Sequence, residues 1–101
     1  MTILYLVCAS EEEADKIAET LLRQKLVACA KKVKTSSAFR WKGKIKHADE
    51  VILLLETEDR LFDEIENEIG KIHSHKTFVL ASIATDKTSR GIKEWLDEEL
   101  K

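Results

Sequence analysis

The chain has 101 residues, of which 44% are hydrophobic and 36% are charged, with a formal net charge of −2. This length suits one small domain spanning 1–101, and the apolar content with nearly balanced charge excludes a disordered acidic or basic tail. The apolar runs 3–9 and 51–55 are far shorter than the roughly 20 residues of a membrane helix. Two cysteines and no C-x-x-C pair predict free thiols and a cytoplasmic protein.

Residue usage also bears on heat stability. The chain has no proline, and its only side-chain amides are Gln24 and Asn67, in a background rich in charge. Many charged residues with few heat-labile amides are typical of hyperthermophile proteins. We weigh a thermophilic source equally against a mesophilic one, and a melting temperature below about 70 °C would exclude the former.

Two signals mark the first strand and the first helix. The run 2–9 is short, β-branched and nearly all apolar, which predicts a central strand buried on both faces. Ser10 and Glu13 form a capping-box pattern, in which the serine accepts from the third helical amide and the glutamate reaches back. A helix is therefore predicted after Ser10, with the apolar stripe Ala14, Ile17, Ala18, Leu21 and Leu22.

A long β-hairpin is predicted next. An extended stretch without a breaker begins at Leu26 and runs to a turn at Gly43. Because a two-residue type I′ loop would force Lys42 to positive φ, we expect a three-residue loop over 41–43 with only Gly43 in the left-handed region. This register would give the hairpin one apolar face and one cationic face. The predicted pairs are Phe39 with Ile45 and Arg40 with Lys44.

The second half of the chain repeats the order of strand and helix. The aliphatic run 50–57 predicts a third strand buried on both faces, and Thr57 is a suitable N-cap for the next helix. That helix is predicted to end at 73–75. A fourth strand over 78–84 and a last helix opening at 88–89 complete the chain.

The element order is therefore β-α-β-β-α-β with a terminal helix. This is the split β-α-β plan of the ferredoxin-like α+β fold, in which a four-stranded antiparallel sheet carries two helices on one face. The first and third strands are apolar on both faces, so the face without helices needs another cover. We expect the chain to oligomerise by sheet packing.

Nucleic-acid binding and enzyme chemistry are both disfavoured. RNA-recognition domains share this element order, but they stack bases on aromatic residues of the first and third strands, and the third strand here has none. Three glutamates follow the first strand, so a phosphate-cradling loop there would repel its anion. A solvated or subunit-facing hairpin is the better interpretation of its basic residues, which are Lys31, Lys32, Lys34, Arg40, Lys42, Lys44 and Lys46.

The chain does carry soft metal ligands. Cys29 lies in the second strand, and His73 and His75 end the second helix. Thiolate and imidazole are donors that copper and zinc prefer, and Cys8 at the end of the first strand would add a second sulfur. A cysteine in an apolar run is also a common core residue, and a histidine at a helix C-terminus stabilises the helix dipole. Spacing alone leaves both interpretations open.

Four segments carry a resemblance to a known family, in register from about Ser10 to Leu96. The hairpin and cysteine segments are the more specific, and none is a catalytic signature. The segments are Lys25-Leu26-Val27-Ala28-Cys29, Phe39-Arg40-Trp41-Lys42-Gly43-Lys44, the strand from Glu50 to Thr57, and Ile92-Lys93-Glu94-Trp95-Leu96. Together they resemble the CutA divalent-cation-tolerance family.

The resemblance implies a ferredoxin-like subunit of a compact homotrimer, linked to tolerance of divalent metals, with the residues matching Cys29 and His73 as suspected ligands. The chain departs from the family pattern where His75 replaces a tyrosine and Glu56 replaces a lysine. Both replacements add a metal-binding group. The predicted metal ligands are therefore Cys29, His73, His75 and Glu56. Loss of both family prolines beside His73 supports the alternative of a decayed site.

The sequence thus predicts a cytoplasmic, non-enzymatic homotrimer that binds copper or another divalent cation, without a nucleic-acid or membrane partner. The alternative is a trimeric signalling or small-molecule-binding module, resembling nitrogen-regulatory proteins, with no metal role. A purely structural assembly unit is a third interpretation.

Overall fold

The computed structural model describes all 101 residues and contains the predicted elements in the predicted order. The strands are β1 (Thr2–Cys8), β2 (Cys29–Trp41), β3 (Lys44–Thr57) and β4 (Leu80–Ala84). The helices are α1 (Glu11–Arg23), α2 (Phe62–Gly70) and α3 (Ile92–Glu99), and a 3₁₀ turn at Asp59–Leu61 precedes α2. The antiparallel strand order β2-β3-β1-β4 confirms the ferredoxin-like fold. None of the helices has the length and apolar character needed to cross a membrane.

Side chains of β1 alternate between two environments. Leu4, Leu6 and Cys8 are fully buried beneath the helices, whereas the side chains between them are only half-buried on the other surface. The same alternation continues in β3, which pairs with β1 along its last seven residues. The core therefore lies on one side of the sheet, which we call the helix face. The opposite surface, carrying Ile3, Tyr5 and Val7 of β1, is the open face.

Helix α1 forms where its capping signals predict. The Glu13 N–H donates to Ser10 Oγ at 3.1 Å, and Glu13 Oε2 accepts from the Ala9 N–H at 2.7 Å, one residue earlier than in a standard capping box. The helix ends in a Schellman motif around Lys25, which adopts φ 58. The Lys25 N–H donates to Leu22, and the Leu26 N–H donates to Leu21. Of the predicted stripe, Ala14, Ile17 and Leu21 are buried and Ala18 is partly buried, but Leu22 is 41% exposed, so that position was wrong.

The predicted hairpin loop is wrong. Trp41 pairs with Lys44, so the loop has two residues, Lys42 at φ 50 and Gly43 at φ 78. A lysine in the left-handed region costs about 1–2 kcal/mol, but the type I′ twist matches the twist of the strands and offsets that cost. The two-residue loop pairs Arg40 with Ile45 and Phe39 with Lys46. Each face of the hairpin is therefore mixed rather than apolar or cationic.

Four boundaries also differ from prediction. Thr57 completes β3 and is fully buried, and its hydroxyl donates to the Leu26 carbonyl at 2.6 Å instead of capping a helix. Helix α3 begins at Ile92 after Gly91, whose φ is 87, so neither residue of 88–89 caps it. Helix α2 ends at Gly70, short of His73, and β4 begins later than predicted, at Leu80.

The hairpin extends well beyond the rest of the sheet. Because β1 stops opposite Val51, residues 35–50 form a two-stranded hairpin arm with no third strand beside it. The arm contributes to a longest dimension of 45 Å and a radius of gyration of 14.2 Å, against about 12.7 Å for a compact chain of this length. The fold thus leaves both the open face and the arm without cover in one chain.

The turn geometry gives a test by substitution. Gly43→Ala places a Cβ at φ +78 and should lower the free energy of unfolding by about 1 kcal/mol. Lys42→Asn should raise it by a few tenths of a kcal/mol, because asparagine tolerates the left-handed region. Urea unfolding at one fixed protein concentration measures both.

Gly70→Ala is the matched control. Gly70 ends α2 with ordinary helical φ and open space where a Cβ would stand. Alanine there should raise the free energy of unfolding by about 0.5–1 kcal/mol. A Gly43→Ala protein as stable as the wild type would contradict the left-handed conformation of Gly43.

Candidate functional site

Two of the predicted metal ligands lie side by side on the open face. Cys29 of β2 is directly opposite Glu56 of β3. The Lys31 ammonium lies between them, with Nζ 3.2 Å from Cys29 Sγ and 2.5 Å from Glu56 Oε2. These contacts, first with Glu56 and then with Cys29, raise the pKa of Lys31. The lysine therefore already supplies the cation that a thiol and carboxylate pair would otherwise attract.

His73 lies at the other end of β1. Glu56 pairs with Ile3, whereas the His73 ring contacts the Val7 carbonyl, with 2.9 Å between Nε2 and oxygen. Four residues of strand span about 13 Å. One chain therefore does not bring Cys29 and Glu56 together with His73, and joining them through a neighbouring subunit stays a prediction.

His75 contacts His73 through its backbone and also through its ring, whose centroid lies 5.5 Å from that of His73. The His75 N–H donates to His73 Nδ1 at 3.1 Å, and the His75 residue itself is exposed. Because Nδ1 accepts, Nε2 carries the hydrogen that is donated to Val7. The His73 ring also stacks on Phe78, with centroids 4.9 Å apart. His73 is thus held in one orientation from three sides.

A different set of metal-type donors surrounds His73. Cys8, Glu13 and His73 each offer one ligand atom, and these atoms lie within 4.8 Å of one another. Cys8 is fully buried, and the side chains of His73 and Glu13 are 1% and 9% exposed. The sequence singled out Cys8 and His73 but missed Glu13, whose capping role gave no signal of a contact sixty positions along the chain.

Glu13 joins three parts of the chain. Its Oε2 accepts from the Ala9 N–H at 2.7 Å, and its Oε1 accepts from the Ser74 N–H at 2.5 Å. Burial acts to raise the pKa of Glu13, but the amides of Ala9 and Ser74 and the nearby His73 outweigh it, so the pKa falls below its ordinary value. The anion therefore ties the start of α1 to the segment after α2.

Cys8 has the opposite electrostatic environment. Burial, and then the adjacent Glu13 carboxylate, raise the pKa of its thiol to about 12. A protonated, buried thiol is a poor nucleophile. The donor set itself, a sulfur, an imidazole nitrogen and a carboxylate oxygen, is one that a divalent cation such as Zn²⁺ accepts. The cluster fits cation binding better than covalent catalysis.

Fold and site together define a ferredoxin-like α+β domain that carries metal-type donors. Its sequence matches the family described as CutA1 divalent ion tolerance protein over residues 2–99, and the chain belongs to this family. The divalent-cation tolerance protein CutA of Archaeoglobus fulgidus is 34% identical over 95 residues, covering 94% of this chain and 93% of that protein. Its Pyrococcus horikoshii counterpart is 32% identical over 101 residues, covering 100% and 99%.

Solved structures show the same architecture. The crystal structure of CutA1 from Pyrococcus horikoshii superposes with a TM-score of 0.94 at 31% identity, covering 100% of this chain and 99% of that one. The structure of the periplasmic divalent cation tolerance protein CutA from Archaeoglobus fulgidus gives a TM-score of 0.96 at 32% identity, with both chains fully covered. The family assignment therefore agrees in sequence and in fold.

Glu13 accepts hydrogen bonds from two backbone amides, and substituting it tests how much they contribute to stability. In Glu13→Gln only one side-chain oxygen remains, and the new NH₂ group faces a backbone N–H. One amide hydrogen bond is lost and a donor is left unpaired, which should lower the free energy of unfolding by about 1–3 kcal/mol. Chemical denaturation at neutral pH measures this loss.

Glu12→Gln is the control, because Glu12 is an exposed acid in the same helical turn. It should change the free energy of unfolding by less than about 0.5 kcal/mol. Equal effects of the two substitutions would show that only the helix dipole is involved.

The Glu13 contribution should also depend on pH. Since the folded-state pKa of Glu13 is lowered, its contribution is fully present above the ordinary value of 4.5 and is lost as the pH falls through the folded-state value. The stability difference between wild type and Glu13→Gln should therefore shrink as the pH falls below 4.5. A difference that grows in acid would contradict this assignment.

Proposed function

We propose that the protein is a non-enzymatic homotrimer that binds a divalent cation, with copper as the metal to test first, and acts in divalent-cation tolerance. The observation that carries the assembly is the uncovered apolar open face. The cation role is supported by family membership and by the Cys8, Glu13 and His73 donors.

The open face carries apolar residues on all four strands, with the Lys31–Glu56 ion pair at one end. Ile3, Tyr5 and Val7 of β1 adjoin partly buried aliphatic residues of β3. At the sheet's margins, Val33 and Ile83 are 45% and 52% exposed. A contiguous apolar surface of this kind is unusual on a monomer and is typical of a subunit interface.

The same surface continues onto the hairpin arm. Odd-numbered residues of β2 lie on the open face, so Phe39 and Trp41 extend its row toward the tip, and both are exposed. An isolated two-stranded arm is only marginally stable in water. Packing against a second copy would bury both aromatics and stabilise the arm. The unpaired edges of β2 and β4 also favour a closed ring of subunits.

Three further properties belong to this proposal. The number of subunits, three, follows from the family resemblance. A role without catalysis is supported by the buried protonated thiol of Cys8 and by the use of Ser10 as a helix cap. A cytoplasmic location is supported by the two free cysteines, Cys8 and Cys29.

The assembly is tested by a charge on the open face. Ile83→Lys should weaken association by about 100-fold or more, because burying an unpaired ammonium costs several kcal/mol. Light scattering coupled to size-exclusion chromatography should show a trimer for the wild type and dissociation of the variant at micromolar concentration.

Leu22→Lys is the control, since Leu22 is 41% exposed but lies on α1, away from the open face. This variant should stay trimeric. A wild-type monomer under native mass measurement would overturn the assembly proposal without touching the family assignment.

A further inference from the structure

We propose that the tip of the hairpin arm docks on the acidic outer surface of α2 in a second copy of this chain. The contact would pair Arg40 of one chain with Asp63 and Glu66 of its neighbour. The inference rests on the proposed homotrimer and deepens it, because it names an ion-pair contact between subunits and the direction in which that contact runs.

Charge is unevenly divided between the hairpin arm and the rest of the chain. Residues 36–48 contain no acid but four exposed cations, Arg40, Lys42, Lys44 and Lys46. Removing four positive charges from a net charge of −2 leaves −6 for the remaining residues. None of the four cations forms an ion pair within the chain. A basic arm on an acidic body makes one chain electrostatically complementary to the next.

Nearer the base of β2, the same row of side chains already contacts an acidic helix. Lys32, Lys34 and Arg40 are even-numbered residues of β2 and so share the helix face. Lys32 Nζ is 2.6 Å from Asp15 Oδ1, and Lys34 Nζ is 3.4 Å from Glu11 Oε2, both on α1 of the same chain. Arg40 lies about 20 Å further along the strand than Lys34. A carboxylate for Arg40 would therefore come from another chain.

Helix α2 carries two acids that have no partner in their own chain. Asp63 and Glu66 are exposed, lie one turn apart and form no ion pair. The other two carboxylates in the later turns of this helix, those of Glu64 and Glu68, are already paired with lysines. Two neighbouring carboxylates suit a guanidinium, which presents five donors in a plane.

The strand order places α2 beside the edge where a neighbouring arm would lie. Helix α1 packs on β2 and β3, whereas α2 connects β3 with β4 and so crosses β1 next to the free edge of β4. In a ring with the open faces turned inward, the helix faces of all chains lie on the outer side. The free edge of one arm beside β4 of the next chain would then bring Arg40 to the side that carries α2. Arm-to-body contacts repeat around such a ring, whereas arm-to-arm contacts would bring like charges together.

Charge reversal at Arg40 tests the contact. Trimer dissociation is followed by sedimentation velocity in the urea concentration that dissociates half of the wild type, because urea carries no charge and leaves ion pairs unscreened. Arg40→Glu should weaken association about 10- to 100-fold, since every arm contact in the ring changes from attraction to repulsion. Lys16→Glu is the matched control, because Lys16 is also exposed and unpaired but lies on α1. It should change association by less than about 3-fold.

A second charge reversal identifies the acceptor helix. Glu66→Lys combined with Arg40→Glu should restore association to within about 5-fold of the wild type. Glu12→Lys combined with Arg40→Glu should not, because Glu12 lies on α1. Salt gives another measurement. Raising NaCl from about 0.05 M to about 0.5 M shortens the Debye length and should weaken association of the wild type more than that of Arg40→Glu.

The outcomes separate this inference from the proposed function. A wild-type trimer whose association is unchanged by Arg40→Glu would overturn the docking contact and leave the homotrimer intact, as would equal salt sensitivity of the two proteins. Failure of Glu66→Lys to rescue Arg40→Glu, or rescue by Glu12→Lys instead, would overturn α2 as the acceptor. A monomeric wild type would overturn both the contact and the assembly proposal.

Discussion

All three helices contribute to the core on one face of the four-stranded sheet and leave the other face open, and the rest of the molecule follows from that constraint. Every second side chain of β1 is buried under the helices, while Ile3, Tyr5 and Val7 lie on a surface that one chain leaves half-covered. The part of these side chains that faces water contributes no hydrophobic stabilisation. The hairpin arm adds Phe39 and Trp41 to the same row. Burial of the open face in an assembly would therefore stabilise the protein.

The candidate site lies on the helix face, where backbone hydrogen bonds hold its polar side chains in place. Glu13 begins as a capping residue, yet its second oxygen accepts from Ser74 after α2. This contact holds the segment that carries His73 against the end of β1, where Cys8 is buried. One carboxylate thus contributes to helix initiation and tertiary contact, and it completes a set of three metal-type donors.

Predictions succeeded where the cause was local. The Ser10 cap and the α1 stripe depend on residues within one or two turns, and the cap and the buried positions Ala14, Ile17 and Leu21 are confirmed. The prediction of a three-residue hairpin loop failed because it considered only the local strain at Lys42. The twist that offsets this strain is a property of the paired strands. The prediction that Thr57 caps a helix failed because its hydroxyl donates to the carbonyl of Leu26, thirty-one positions away. The predicted metal ligands do not meet within one chain for the same reason. Cys29 and His73 lie near opposite ends of β1.

The sequence by itself determined the order of elements, the ferredoxin-like fold and the excess of apolar surface, because periodicity and capping are properties of short segments. Only the tertiary structure decided which donors meet. Lys31 lies between Cys29 and Glu56, whereas Glu13 joins Cys8 and His73. Such contacts join residues far apart in the chain, and they depend on strand register and on the side of the sheet that each side chain takes.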